Sequence, residues 1–93
     1  MIKTFKCKET EALFYGRFSA KLPQVIQRKA VIKLNMLHAA TRLDTLRVPP
    51  SNHLEVLHGG RKGQHSIRIN EQWRVCFVWR ENNAFAVKIV DYH

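Results

Sequence analysis

The fold of this chain is decided by the stretch HSIRINEQWRVCFVWR, residues His65–Arg80. Two runs within it, His65–Ile69 and Trp73–Arg80, alternate large apolar side chains with polar or small ones, which is the pattern of half-buried β-strands. The three polar residues between the runs, 70–72, have a length that a hairpin loop permits. The stretch therefore predicts an antiparallel β-hairpin with one apolar face.

The loop length fixes the register of this hairpin. A three-residue loop pairs Ile69 with Trp73 and keeps the large apolar side chains of both strands on one face. A two-residue loop would place Ile69 opposite Gln72 and turn one apolar set toward water, although each large side chain gains about 1.5–3 kcal/mol on burial. The favoured register places Arg68 directly across from Arg74, on the face away from the core.

Two arginines at opposed positions repel each other unless an anion lies between them. Arg68 and Arg74 are therefore a candidate phosphate site, since guanidinium groups bind phosphate through paired hydrogen bonds. The alternative is that both side chains are solvated, or are paired with Glu55 and Glu71.

Further strands are predicted outside the hairpin. They are Ile2–Lys6, Leu54–His58 and Ala84–Val90, the last preceded by a turn at Glu81–Asn83. Residues 59–63 are glycine-rich and basic and are expected to form a turn. The side chains expected on the core face of the later strands are Ile67, Ile69, Trp73, Val75, Phe77, Trp79, Phe85, Val87 and Ile89.

Two helices are predicted in the first half of the chain. Thr10 is a candidate cap for a short helix through Phe14 that ends at Gly16, and Pro23 suits the first turn of a longer helix. Pro49-Pro50 then stops the helices. The whole chain, 1–93, is expected to be one α+β domain, with an N-terminal strand and two helices on one face of a mainly antiparallel sheet of about five strands.

The long helix carries two apolar stripes where one would serve to bury it. The first is formed by Ile26, Ala30, Leu34 and Leu37, and the second by Val25, Ile32, Met36 and Ala39. Either the short helix covers the second stripe, or a partner protein does. In the partner case the expected contacts are Val25, Arg28, Lys29, Ile32 and Met36.

The charge of the chain favours a polyanionic partner. Sixteen Lys and Arg residues against seven Asp and Glu give a net charge of +9. Such a field attracts nucleic acid or a ribosome, although a basic surface without a ligand is the alternative. No apolar run approaches a membrane span, and the first residues lack the apolar stretch of a signal peptide, so the cytoplasm is the expected location and no membrane is involved.

The candidate groups for chemistry lie in the basic turn and at the end of the chain. Arg61 and Lys62 in the turn, with His58 and His65 flanking it, are candidates for binding RNA phosphates. The terminal residues 91–93 bring together a carboxylate, a phenol and an imidazole, and an imidazole has the pKa suited to proton transfer near neutrality. Cys7 and Cys76 form no metal-binding pattern and are expected to be reduced, buried and structural, so neither a metal nor a cofactor is expected.

The sequence resembles a known family over nearly its whole length. The stretch Leu54–Phe77 resembles the central hairpin of HigB toxins, plasmid-maintenance killer proteins of the RelE superfamily, and the ending Val90-Asp91-Tyr92-His93 resembles their C-terminal Asp-Tyr-His. The opening Met1–Phe5 and the Pro49-Pro50 break fit the same family.

This resemblance implies a RelE-like fold and a toxin of a type II toxin–antitoxin system. The expected activity is that of a ribosome-dependent endoribonuclease, which cleaves mRNA in the ribosomal decoding site without a metal and so inhibits translation. The expected partner is a HigA-type antitoxin with a helix-turn-helix, through which alone the toxin would reach operator DNA.

The resemblance also assigns roles by position. Arg74 matches a phosphate ligand, Arg61 and Arg68 match basic hairpin positions, and the catalytic trio is Asp91, Tyr92 and His93. The chain departs from the family where relatives often read Lys-Gly-Asp-Arg, because it has His58-Gly59-Gly60-Arg61. An unperturbed histidine is mostly neutral at pH 7, so His58 replaces that lysine only in part. Two rival functions stay open: a non-catalytic RNA-binding module, and a regulatory partner protein.

Overall fold

The four strands form one antiparallel sheet in chain order. The computed structural model describes residues 1–57 and 63–91. The strands are β1 (Glu55–Val56), β2 (Gln64–Arg68), β3 (Trp73–Arg80) and β4 (Asn83–Asp91). The predicted hairpin is therefore present and lies at the centre of the sheet, flanked by the short β1 and the long β4.

The hairpin has the predicted register. The backbone N–H of Ile69 donates to the carbonyl of Trp73 at 2.8 Å, and Arg68 is paired with Arg74. Asn70 fixes the loop, because its side-chain oxygen accepts from the backbone N–H groups of Gln72 and Trp73, each at 2.8 Å. The predicted pairing, in which both apolar sets share the core face, is therefore confirmed.

Two helices pack against the sheet, and the α+β class is confirmed. They are α1 (Lys8–Phe14) and α2 (Gln24–Ala39), followed by short 3₁₀ turns at Leu43–Arg47 and Pro50–Asn52. The buried apolar cluster joins both layers and consists of Ile2, Leu13, Ile26, Ala30, Leu34, Leu37, Ala40, Leu46, Ile67, Ile69, Val75, Phe77, Ala84, Val87 and Ile89.

The cap of α1 differs from the prediction. The Sγ of Cys7, which is half-buried, accepts from the backbone N–H of Thr10 at 3.3 Å, so Cys7 and not Thr10 caps the helix. Thr10 is instead buried within α1, where its hydroxyl accepts from the N–H of Ile89 in β4 at 3.0 Å. The threonine hydroxyl thus ties α1 to the sheet, and Cys7, three residues upstream, serves as the cap.

A β-bulge changes one predicted core position. The pairing of β3 with β4 shifts between Cys76 and Val78, and Ala86 adopts a left-handed φ of +52°. As a result Phe85 is paired with Val78, outside the apolar face, and Ala84 occupies the core opposite Trp79. The prediction that Phe85 belongs to the core is therefore wrong, whereas Trp73 and Trp79 pack against the core from its margin.

The N-terminal segment pairs with β4 without forming a regular strand. Ile2 bridges Ala84 and Phe5 bridges Val87, both in parallel orientation. Among the described residues the sheet thus has four strands and this bridged segment, where about five strands were expected. The last turn is also tighter than predicted, because Arg80 pairs with Asn83 and leaves two residues between them, both with positive φ.

Candidate active site

Arg74 is the centre of a buried polar cluster. Its side chain extends from the sheet face away from the apolar core, yet the residue is only 6% exposed. The Nε donates to Oγ of Ser66 at 2.8 Å, and one terminal nitrogen donates to the carbonyl of His53. The other terminal nitrogen lies 3.3 Å from a carboxylate oxygen of Glu55. The guanidinium is therefore held in one orientation from three sides.

Each member of this cluster is positioned by local structure. Glu55 in β1 is paired with Ser66 in β2, which places carboxylate and hydroxyl in one row beside Arg74. His53 follows the 3₁₀ turn Pro50–Asn52 and has a left-handed φ of +43°, and its carbonyl meets the guanidinium. The Glu55 side chain is 46% exposed, so the cluster borders solvent on its acidic side.

The carboxylate of Glu55 partly offsets the charge repulsion predicted between Arg68 and Arg74. Of the two readings left open, pairing with Glu55 is the one that the structure shows for Arg74. Arg68 is half-buried and lines a cavity of about 320 Å³ between α2 and the hairpin. The other residues that line this cavity are Lys29, Lys33, Ser51, Ile69, Asn70 and Glu71.

Lys33 is a buried lysine that the sequence argument did not single out. It is 5% exposed, and its Nζ donates to Oδ1 of Asn52 at 2.6 Å. Asn52 is itself buried and donates to the carbonyl of Leu46 at 3.1 Å, which orients its oxygen toward the lysine. Burial lowers the pKa of Lys33 from its usual value, and the charge of Lys29 lowers it further.

Two of the predicted site residues lie apart from the arginine row. His65 is on the opposite face of β2 from Arg68, with its ring stacked on Phe77 at a centroid distance of 6.0 Å. Its Nδ1 lies 3.1 Å from the carbonyl of Gly63. Asp91 is paired with Trp73 at the end of β4, and its Oδ2 accepts from the side-chain amide of Gln72 at 3.1 Å.

The remaining predicted site residues are His58, Arg61, Lys62, Tyr92 and His93, and they lie outside the described residues. Within residues 1–57 and 63–91, no group of three His, Cys, Asp or Glu side chains is arranged to hold a metal ion. The same part of the chain contains no helix long and apolar enough to cross a membrane. What the described residues bring together is thus an arginine pair and an adjoining basic cavity.

Four residues of this region were missed as site components: His53, Ser66, Asn52 and Lys33. A signal existed for Lys33, because it stands three residues after Ala30 and four before Leu37, at the spacing of the buried face of α2. The other three act through a backbone carbonyl or a neutral side chain, and a single sequence carries no comparable signal for them.

The second apolar stripe of α2 is only partly covered. Val25 is 86% exposed and Ile32 is 50% exposed, so the reading in which α1 covers this stripe is wrong for both. Met36 packs against the core, and Arg28 and Lys29 are exposed.

A groove of about 360 Å³ lies beside the N-terminal half of α2. Leu13, Gly16, Arg17, Phe18, Gln24, Gln27, Arg28 and Val31 line it. Of the two basic neighbours in α2, Arg28 therefore faces this groove and Lys29 faces the basic cavity.

Comparison with known proteins identifies the class to which this fold and site correspond. A family model described as the RelE-like toxin of the type II toxin–antitoxin system HigB matches residues 3–93. Fold and family together define a RelE-like toxin.

Three relatives illustrate the match. The chain is 43% identical over 63 residues to Toxin HigB-1 of Vibrio cholerae, which covers 68% of this chain and 66% of that protein. It is 35% identical over 79 residues to an uncharacterized protein of Haemophilus influenzae, covering 85% and 77%. It is 29% identical to Endoribonuclease HigB of Proteus vulgaris over the full length of both. The chain therefore belongs to the HigB-like toxin family.

Proposed function

We propose that this chain is an endoribonuclease toxin that cleaves mRNA in the decoding site of the ribosome and thereby inhibits translation. The observation that carries the proposal is the opposed pair Arg68 and Arg74, with Arg74 held rigidly by Ser66, His53 and Glu55. Membership of a toxin family and a relative named as an endoribonuclease support it. A net charge of +9 suits a ribonucleoprotein target.

The proposed reaction needs neither a metal nor a cofactor. The 2′-oxygen of the substrate attacks the adjacent phosphorus in line, so that the 2′-O–P bond forms as the P–O5′ bond breaks. The products are a 2′,3′-cyclic phosphate and a 5′-hydroxyl. A base takes the proton of the 2′-hydroxyl and an acid protonates the leaving 5′-oxygen, each contributing roughly 10²–10⁴-fold to the rate.

The arginines act on the charge that develops at phosphorus. A donor fixed before the reaction stabilises a transition state more than one that must reorient, and the three contacts of Arg74 fix it. The Arg74 side chain is only 7% exposed and Glu55 covers its solvent side, so a substrate phosphate reaches this guanidinium by displacing the half-exposed carboxylate. Arg68, across the strand pair, binds the phosphate from its other side.

The proton carriers are assigned from the end of the chain and from the basic turn. We assign proton transfer first to His93, with Asp91 orienting it, while Tyr92 stacks on a base or donates to phosphate. His58 is the second proton carrier, and Arg61 and Lys62 bind flanking phosphates. His65 is not given a role in proton transfer, because it lies on the other face of β2 from Arg68.

The proposed protein partner is a HigA-type antitoxin that docks on the exposed face of α2 and its neighbouring groove. Val25 and Ile32 offer apolar contacts, and Arg17 and Arg28 give the groove a basic rim that fits an acidic amphipathic segment. Operator DNA is reached only through this antitoxin, and the proposed location is the cytoplasm. Val25→Glu should weaken antitoxin binding without changing the unfolding midpoint, whereas unchanged binding would contradict this surface.

The nuclease proposal is tested by comparing Arg68→Ala with Lys21→Ala in a translating cell-free extract. Lys21 is the control, since its replacement removes the same charge from an 80% exposed side chain that pairs with Glu9 of α1 and does not line the basic cavity. We expect Arg68→Ala to slow cleavage by about 100-fold, the effect of losing one donor to the charge that develops at phosphorus, and Lys21→Ala to leave it unchanged. Equal rates in both variants refute the assignment, and RNA binding without any cleavage by the wild type favours the binding-module alternative.

A further inference from the structure

We propose that the basic cavity formed by Lys29, Lys33 and Arg68 binds a second phosphate of the RNA strand, next to the phosphate that reacts at Arg74. This inference rests on the proposed function and identifies the path of the substrate beyond the site of cleavage. The three cations come from two separate elements, α2 and the β2–β3 hairpin, and line one cavity of about 320 Å³.

The charge of this cavity is unbalanced. Among the residues that line it, three side chains are cationic and one, Glu71, is anionic. Lys33 is almost fully buried, and the contact that holds its Nζ is the neutral oxygen of Asn52. A buried cation beside other cations is disfavoured unless an anion is near, so an entering phosphate would relieve both desolvation and repulsion.

The position of Arg68 links the cavity to the reaction site. Arg68 lines the cavity and is the cross-strand partner of Arg74 in the sheet. Phosphates that are neighbours along one strand can therefore be bound on the two sides of this arginine. Ser51 and Asn70 supply further polar groups, and the volume falls within the usual range of small-ligand pockets, roughly 300–1,000 Å³.

The scaffold of the cavity is rigid. Asn52 is fully buried, is bonded to the carbonyl of Leu46 and accepts from Lys33, so the lysine is anchored to the segment that also presents His53 to Arg74. The basic cavity and the arginine cluster thus share one support. A phosphate bound at Lys33 is consequently held at a fixed spacing from the phosphate at Arg74.

The test measures how salt affects binding of the full chain to a 2′-O-methyl oligoribonucleotide, which has no free 2′-hydroxyl and is not cleaved. For single strands the slope of log Kobs against log salt is about −0.7 per phosphate contact. We expect Lys29→Met and Lys33→Met each to reduce that slope by about 0.7, and Lys21→Met, which removes the same charge elsewhere, to leave it nearly unchanged. Equal slopes in all three variants overturn the proposal.

Further arms separate the other possible occupants. Titration with inorganic phosphate alone, followed by the NMR signal of the Lys33 ammonium, measures whether the cavity binds the free ion. If phosphate saturates the site but the salt dependence of RNA binding is the same in Lys29→Met and Lys33→Met as in the wild type, the assignment to RNA is overturned. It is also overturned if these variants lose affinity only for the antitoxin, because an acidic protein side chain would then occupy the cavity. Lys29 is exposed, so Lys29→Met keeps the test valid should Lys33→Met fold poorly.

Failure of this inference is distinguishable from failure of the proposed nuclease. If the wild type cleaves translated mRNA and all variants show the same salt dependence of RNA binding, the nuclease proposal stands and the cavity proposal fails. If RNA binding depends on Lys29 but the wild type leaves translated mRNA intact, the cavity proposal stands and the nuclease proposal fails.

Discussion

Replacing Arg74 by alanine should destabilise the fold strongly, in addition to any effect on RNA cleavage. The guanidinium is the donor to Oγ of Ser66 and to the carbonyl of His53, and Ser66 is fully buried. Removing the arginine leaves both acceptors without that donor. It also leaves Glu55 without the ion pair at 3.3 Å.

The size of the effect follows from these contacts. A buried acceptor left unsatisfied costs about 1–3 kcal/mol, and this applies to Oγ of Ser66. His53 is exposed, so water can replace the lost donor at its carbonyl, and the predicted loss is about 1–3 kcal/mol. The ion pair adds less than about 1 kcal/mol, because Glu55 is 46% exposed. For a domain of this size each kcal/mol lowers Tm by roughly 4–8 °C, so we expect a fall of at least about 4 °C.

Urea unfolding followed by the fluorescence of Trp73 and Trp79 measures this loss, with Arg68→Ala as the control. Arg68 is half-buried at the margin of a cavity, so its replacement should cost less than about 1 kcal/mol. A free energy of unfolding for Arg74→Ala within about 0.5 kcal/mol of the wild type would contradict a structural role of the Arg74 contacts. For the same reason loss of toxicity in Arg74→Ala is no evidence of catalysis unless the variant is shown to be folded.

Two further predictions concern backbone strain and pH. Ala86→Gly should raise the free energy of unfolding by about 0.5–1 kcal/mol in thermal melts, because the left-handed φ of +52° suits glycine. The control Ala84→Gly lies in the core and should lower the stability. An Ala86→Gly variant less stable than the wild type would contradict the prediction. Burial lowers the pKa of Lys33 below 10.5, so the unfolded chain binds more protons between the two pKa values. The stability of the wild type should therefore rise as the pH approaches 10.5. The urea midpoint of Lys33→Met should not rise over the same pH range, and identical alkaline profiles for variant and wild type would contradict the prediction.

The sequence was sufficient for the hairpin because loop length and apolar alternation constrain each other. Only one register buries both apolar sets, and that register pairs Arg68 with Arg74. The β-bulge was not predictable, because Ala86 at a positive φ has no signature in the residue type. Phe85 consequently lies outside the core, although strict alternation places it inside.

The candidate site was predicted in part for a similar reason. The arginine pair followed from register, a property of two adjacent strands. Pairing of Arg74 with Glu55 was one of the alternatives that the sequence left open. The bond of Arg74 to the carbonyl of His53 and the bond of Lys33 to Asn52 were not predicted, because they depend on how separate elements pack. Long-range contacts of this kind, made by neutral groups or by the backbone, are not encoded in any local pattern.

Primer extension on a reporter mRNA tests whether the chain cleaves mRNA on the ribosome. Purified protein is added to a cell-free translation system, and the same message is also offered without ribosomes. We expect cuts within codons of the translated message and none in free RNA. Equal cutting of free RNA would contradict ribosome dependence, and an intact message in both reactions, from protein shown to be folded, would contradict the proposed nuclease itself.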